Sequence, residues 1–305
     1  MKFKFSMRKA FTMMELVFVI VIIGIVSKFG VDLLSESYKS FIFSKLNNSL
    51  QSQSATAVEY VAAKVQYRIK DSIIARKDKT GYTALAEVDS PDYKVLEWVG
   101  SDMEGFRGLS DDNSTHADGL TYNMPNWSGI IDLIDGNATR LVSPETNTTK
   151  VNKLINILSY GDSSISDAAL YFIGSNSDID GYGWDGGEIL DQNKTMHPIN
   201  SGTNINEFIP AVGDFIGIDV FEYYKLAWSA YAIVHSDIDG NLTLHYDYQP
   251  WNGQNYLDDG KKALIMQNVS TFKFMSVGSL VKVQICVKTD IMKEEYSICK
   301  EKTIY

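Results

Sequence analysis

The sequence predicts an α+β fold, in which one long N-terminal α-helix packs on an antiparallel β-sheet head domain with a large loop-rich elaboration. Three observations predict it. Residues 31–80 hold neither glycine nor proline, the two strongest helix breakers. Apolar residues recur through that stretch at helical spacing: Leu34, Tyr38, Phe41, Ile42, Leu46 and Leu50, then Val58, Val61, Val65, Ile69 and Ile73. After Thr80 the texture changes, and short β-rich runs are separated by turns rich in Asp, Asn, Ser and Gly.

The helix begins in an apolar run from Phe11 to Val26 that contains one carboxylate, Glu15. At mid-bilayer depth a carboxylate costs at least ~2.5 kcal/mol, so its presence asks for a partner. The uncharged core, Leu16 to Ser27, is 12 residues, below the roughly 18 expected of an independent span. With Glu15 and Lys28 near its ends, however, Phe11 to Val31 is 21 residues and long enough to cross a bilayer. A basic start followed by an apolar stretch also suggests a secretory signal, but no A-x-A site follows Val26.

The strands are clearest late in the chain, at Tyr223 to Val234, Asn241 to Tyr248, Ser270 to Met275, Leu280 to Lys288 and Tyr296 to Lys300. From Val281 to Lys288 apolar and polar residues alternate strictly, as in a sheet with one buried face, Cys286 being the one exception on the polar side. Residues 100–215 are less regular and read as the loop-rich elaboration.

Composition is that of a folded protein with a sizeable core. The net charge is −10, and four of the 28 cations are Lys2, Lys4, Arg8 and Lys9; the remaining 24 face 38 acids. So acidic a chain would repel phosphates, and no nucleic-acid partner is expected. No G-x-S-x-G, P-loop, dinucleotide fingerprint or H-E-x-x-H occurs. His116, His197, His235 and His245 lie apart without ligand spacing; His235 and His245 could face each other across a hairpin, as surface strand residues. No enzyme is expected. Asp178, Asp180, Asp185 and Glu188 stand at i, i+2, i+7 and i+10 in a glycine-rich loop, a spacing that could supply oxygen ligands to Ca²⁺ without matching an EF-hand; otherwise no cofactor is expected, and a solvated surface loop accounts for the same residues.

Lys9-Ala10-Phe11-Thr12-Met13-Met14-Glu15-Leu16 resembles the processing motif of type IV prepilins and type II secretion pseudopilins. The resemblance covers about 20 residues. It implies that a prepilin peptidase cuts between Ala10 and Phe11 and that Phe11 becomes the N-methylated first residue. Ala10 stands where the family usually has Gly. It further implies that Glu15 pairs, in a filament, with the N-terminal amine of a neighbouring subunit. The boundaries that follow are a leader peptide at 1–10, removed on processing; the transmembrane and assembly half of the helix at 11–31; its remainder at 32–75; and a β-rich periplasmic or extracellular head at 76–305. By size, and by the strand–turn–strand texture of Leu264 to Tyr305, the chain is similar to J-class pseudopilins and W-class minor pilins. Glu15 counts against the very large K-class.

The resemblance implies a minor subunit at the tip or in the initiating complex of a pilus or pseudopilus. It would be anchored in the bacterial inner membrane by a single pass, with a periplasmic head and other pilin or pseudopilin subunits as partners. The alternative is a membrane-anchored adhesin or substrate-binding protein engaging a surface or a secreted substrate. In such a compartment two cysteines read as a disulfide. If the last hairpin pairs Val287 with Ile298, Cys286 lies opposite Cys299. Eight Asn-x-Ser/Thr sequons occur, and five have an acid two residues before the asparagine: Asn113, Asn137, Asn147, Asn193 and Asn241. This acid-extended form resembles the acceptor of bacterial periplasmic N-glycosylation. Clustering of Asp, Gly and Asn in turns is the competing account.

Overall fold

A computed structural model describes residues 12–77, 79, 81–90, 92–108, 110–111, 123–291 and 294–305. Helix α1 runs from Met13 to Val65, 53 residues, or about 80 Å at 1.5 Å per residue. Thr12 caps it, its Oγ1 accepting the Glu15 N–H at 3.4 Å. The first half is exposed on every side. The second half buries a stripe of Leu50, Ser54, Ala57, Val58, Val61, Ala62 and Val65, whose steps of three and four residues keep one face to the core.

The sequence leaves the end of the helix open between about residues 60 and 78, with the spacing of Ile69 and Ile73 allowing 75; α1 ends at Val65. Strand-like bonding to Val95–Gly100 replaces the helical ladder: Ile69 N–H donates to Val99 O, Ser101 N–H donates to Tyr67 O, and Arg68 bridges Gly100. The buried Arg68 guanidinium adds a second donor to Val65 O, at 3.1 Å, which the Arg68 backbone N–H already meets, and also donates to Ser279 O at 3.2 Å. Ile69 is still fully buried, but from extended backbone.

Four antiparallel sheets follow among the described residues, the smallest pairing only Ser110–Asp111 with Asn123–Met124. The first runs in the spatial order Lys261–Met266, Leu242–Tyr246, Ser229–His235, Val95–Gly100, Ile74–Arg76, Thr83–Ala84. Both faces of its centre are covered, and every residue of Val95–Gly100 is buried. Leu96, Trp98 and Ile233 face α1, while Val95, Val99 and Ala232 face an aromatic core containing Tyr182, Trp184, Tyr248 and Trp251. The terminal sheet, Val269–Val277, Leu280–Ile291 and Glu294–Ile304, closes over α1 with Phe272, Val281, Val283, Ile285, Val287 and Ile304. Its last strand runs alongside the helix in the same direction. Tyr296 lies 5.1 Å from Phe43 ring to ring, Lys302 pairs with Glu59, and Arg68 reaches Tyr305 O at 3.4 Å.

The second six-stranded sheet corrects the expectation for residues 100–215. Tyr224–Ala227, Ala169–Phe172, His197–Ser201, Glu207–Pro210, Arg140–Val142 and Asp132–Asn137 form six strands with their own core, covered by helix α3 (Thr148–Leu158; α2 is the short Met103–Arg107) through Val151 and Ile155. Tyr223 to Val234, expected as one strand, is two strands of two different sheets. The break is at Trp228, which turns into this core while Ala227 and Ala230 face the aromatic one; Gln249 Nε2 donates to the Trp228 carbonyl exposed by the break, at 2.8 Å.

Candidate functional site

The apolar half of α1 is the outstanding chemical feature. It contains an 18-residue window of mean hydropathy 2.4, of which no residue is buried by the head. Leu16, Phe18, Ile20, Ile23, Ile25, Phe29 and Val31 are among its exposed side chains. Since the helix is apolar around its circumference, water is a poor solvent for every face of it, as for a membrane span. Such a surface is far beyond the patches that soluble proteins leave open.

Glu15 stands in the first turn, where the helix dipole favours an acid. Thr12-Met13-Met14-Glu15 has the spacing of a capping box, which the sequence reading passed over. Only half of that box forms: Thr12 accepts from the Glu15 N–H, and among the described residues the Glu15 carboxylate takes part in no hydrogen bond or ion pair. Ala10 and Phe11 lie outside the described residues.

Cys286 and Cys299 are disulfide-bonded, with Cα atoms 3.9 Å apart. The register is the expected one, Val287 opposite Ile298 and Cys286 opposite Cys299. By contrast, His235 and His245 do not face each other: His235 pairs with Leu242 and His245 with Ala232. Nor are they surface residues. Both are buried, His235 Nε2 lying 3.0 Å from Val269 O and His245 Nδ1 donating to Tyr256 O.

Three of the four acids of the glycine-rich loop have side-chain partners within the head. Asp178 caps a short helical turn by accepting the Asp180 N–H, Asp180 accepts from Tyr82 Oη at 2.7 Å, and Asp185 accepts the Gly187 N–H, while Glu188 meets Asn252 only through an antiparallel bridge of their backbones. Among the described residues no group of three or more His, Cys, Asp or Glu is placed to hold a metal.

Of the acid-extended sequons, Asn113 lies outside the described residues, Asn137 and Asn193 are exposed, and Asn147 and Asn241 are half-buried. Two of the preceding acids have a backbone task. Asp191 accepts the Asn193 N–H at 2.8 Å and Asp239 the Asn241 N–H at 3.2 Å, each closing a turn. Asn147 caps α3 by accepting the Lys150 N–H.

The head also buries charge that the sequence did not announce. Arg76 Nε donates to Glu97 Oε2 at 2.5 Å, and Tyr248 Oη donates to Glu97 Oε1 at 2.9 Å. Burial pushes the Glu97 carboxyl up, against the opposing pull of Arg76 and Tyr248. No protein-family model, no curated protein and no solved structure matches this chain.

Proposed function

We propose that this chain is a minor subunit, a pilin or pseudopilin, of a type IV pilus or type II secretion pseudopilus. Its role is structural, at the tip or in the initiating complex. A prepilin peptidase removes residues 1–10, Phe11 is methylated, and the apolar half of α1 holds the subunit in the inner membrane with the head in the periplasm.

The observation that carries this reading is a helix divided in two. One half is clamped by the head, and the other is wholly uncovered, with a carboxylate near its start, Glu15, that has no partner among the described residues. A carboxylate and an amine in low dielectric neutralise each other only when a second subunit arrives, so pairing rewards assembly in register.

The test is Glu15→Ala. Membrane insertion should hold or improve, because an apolar residue is cheaper in lipid. Co-purification with sister subunits, at matched membrane abundance, should nevertheless fall. Asp should rescue in part and Gln poorly. Assembly of Glu15→Ala at the wild-type level would refute the pairing, and a tolerated interfacial charge would then suffice.

A further inference from the structure

Asn137 closes the hairpin between the strands Asp132–Asn137 and Arg140–Val142, at the outer edge of the second six-stranded sheet. It begins the sequon Asn137-Ala138-Thr139, with Asp135 two residues before it. Five of the eight sequons in the chain have an acid at that place; with 38 acids among 305 residues, about one would be expected by chance. Turn chemistry accounts for two of the five. The Asp191 and Asp239 carboxylates accept the N–H groups of Asn193 and Asn241, and Asn241 Nδ2 is itself held by Asp239 Oδ2 at 2.6 Å. It does not account for Asp135, whose carboxylate is exposed and makes no hydrogen bond or ion pair among the described residues.

The three recognition elements are open together at this hairpin. Asp135, Asn137 and Thr139 are all exposed, whereas Thr195 of the Asn193 sequon is buried and Asn147 and Asn241 are half-buried. Asn137 Oδ1 accepts the Thr139 N–H at 2.9 Å and the Thr139 hydroxyl at 3.0 Å, which leaves its Nδ2 without a partner among the described residues. The strand behind it calls for cover. It is a sheet edge and leaves Leu133 57% and Ile134 92% exposed, the kind of apolar edge that folded proteins screen.

We propose that Asn137 is an N-glycosylation site and that its glycan, bulky and solubilising, screens this edge. The proposal rests on the reading that places the head outside the cytoplasm. A carboxamide nitrogen is a weak nucleophile, so the donor is a sugar activated at its anomeric carbon by a pyrophosphate leaving group. Asn137 Nδ2 forms a bond to that carbon, and the bond from the carbon to the pyrophosphate oxygen breaks, its electron pair leaving with the oxygen. One Nδ2 proton passes to a base of the transferase, which recognises the Asp135 carboxylate and the Thr139 hydroxyl.

Intact-mass measurement and peptide mapping of the full chain, purified from the membranes of its own host, test this. The mass should exceed that of the polypeptide by one glycan, mapped to Asn137. Asn137→Gln and Thr139→Ala should abolish the excess, and Thr139→Ser should keep it. Asp135→Ala should lose it, while Asp191→Ala should not. An unmodified mass, a glycan mapped only elsewhere, or full occupancy in Asp135→Ala would each overturn the proposal. The same spectrum reads the fate of residues 1–10. A processed, methylated chain without a glycan defeats the modification alone, whereas a chain that retains residues 1–10 defeats the pilin reading.

Discussion

Two buried groups of the head titrate in opposite senses. Asp102 caps α2, accepting the Gly105 N–H and the Trp127 indole N–H at 3.0 Å each, and burial raises its carboxyl to about 6. His197 sits between Phe172 and Phe215, and burial lowers its imidazole to about 4. Between pH 4 and 6 folded Asp102 holds a proton that the unfolded chain has shed, so its contribution to stability falls as pH rises. Folded His197 lacks a proton that the unfolded chain holds, so its contribution rises with pH. Each slope approaches 1.4 kcal/mol per pH unit, and the two nearly cancel. Urea unfolding of the full chain in detergent at pH 4, 5 and 6 should therefore show Asp102→Asn gaining stability with rising pH and His197→Gln losing it. Parallel profiles for both variants and wild type would contradict this. Replacing both Cys286 and Cys299 by Ser should cost about 2–4 kcal/mol, since the bond closes a loop of sequence separation 13. The same unfolding measurement reads that loss.

Among the elements, α1 offers the sharpest contrast. Val61 is fully buried and Leu34 is 71% exposed. Val61→Ala should destabilise the head by about 2 kcal/mol, whereas Leu34→Ala should change unfolding in detergent by less than about 0.5 kcal/mol. Thermal melts of the two variants make the comparison. The helix, the last hairpin and the disulfide register were legible because each rests on a long unbroken period, 3.6 residues in one case and two in the others. The sheet built largely from residues 100–215 was not, because its strands are three to six residues long and held by side-chain-to-backbone turns, such as Asp132 accepting the Ile134 N–H. The early end of α1 was equally hidden. Ile69 keeps the helical spacing, and only its hydrogen bond to Val99, thirty residues on, reveals the departure. Of the candidate assembly region, the exposed apolar half and Glu15 were readable from sequence, while the unmet half of the capping box needed coordinates.

On the scale of the whole molecule, Trp228 stitches the two six-stranded sheets, because consecutive strands on either side of it belong to different ones. The head should therefore unfold in one transition, with near- and far-ultraviolet circular dichroism changing together. Trp228→Ala, which removes about 3–5 kcal/mol of burial, should separate the two signals. The pairing of α1 with the last strand has a mechanical consequence. From Asn47 to Glu59 the helix advances about 18 Å at 1.5 Å per residue, and from Tyr296 to Lys302 the strand advances about 20 Å. Stalk and strand are thus laid side by side over a common length, like a lap joint. A pull along the stalk loads that joint in shear, spreading tension over all its contacts at once, and the Cys286–Cys299 bond acts as a rivet that keeps the outer strand from being peeled off the sheet.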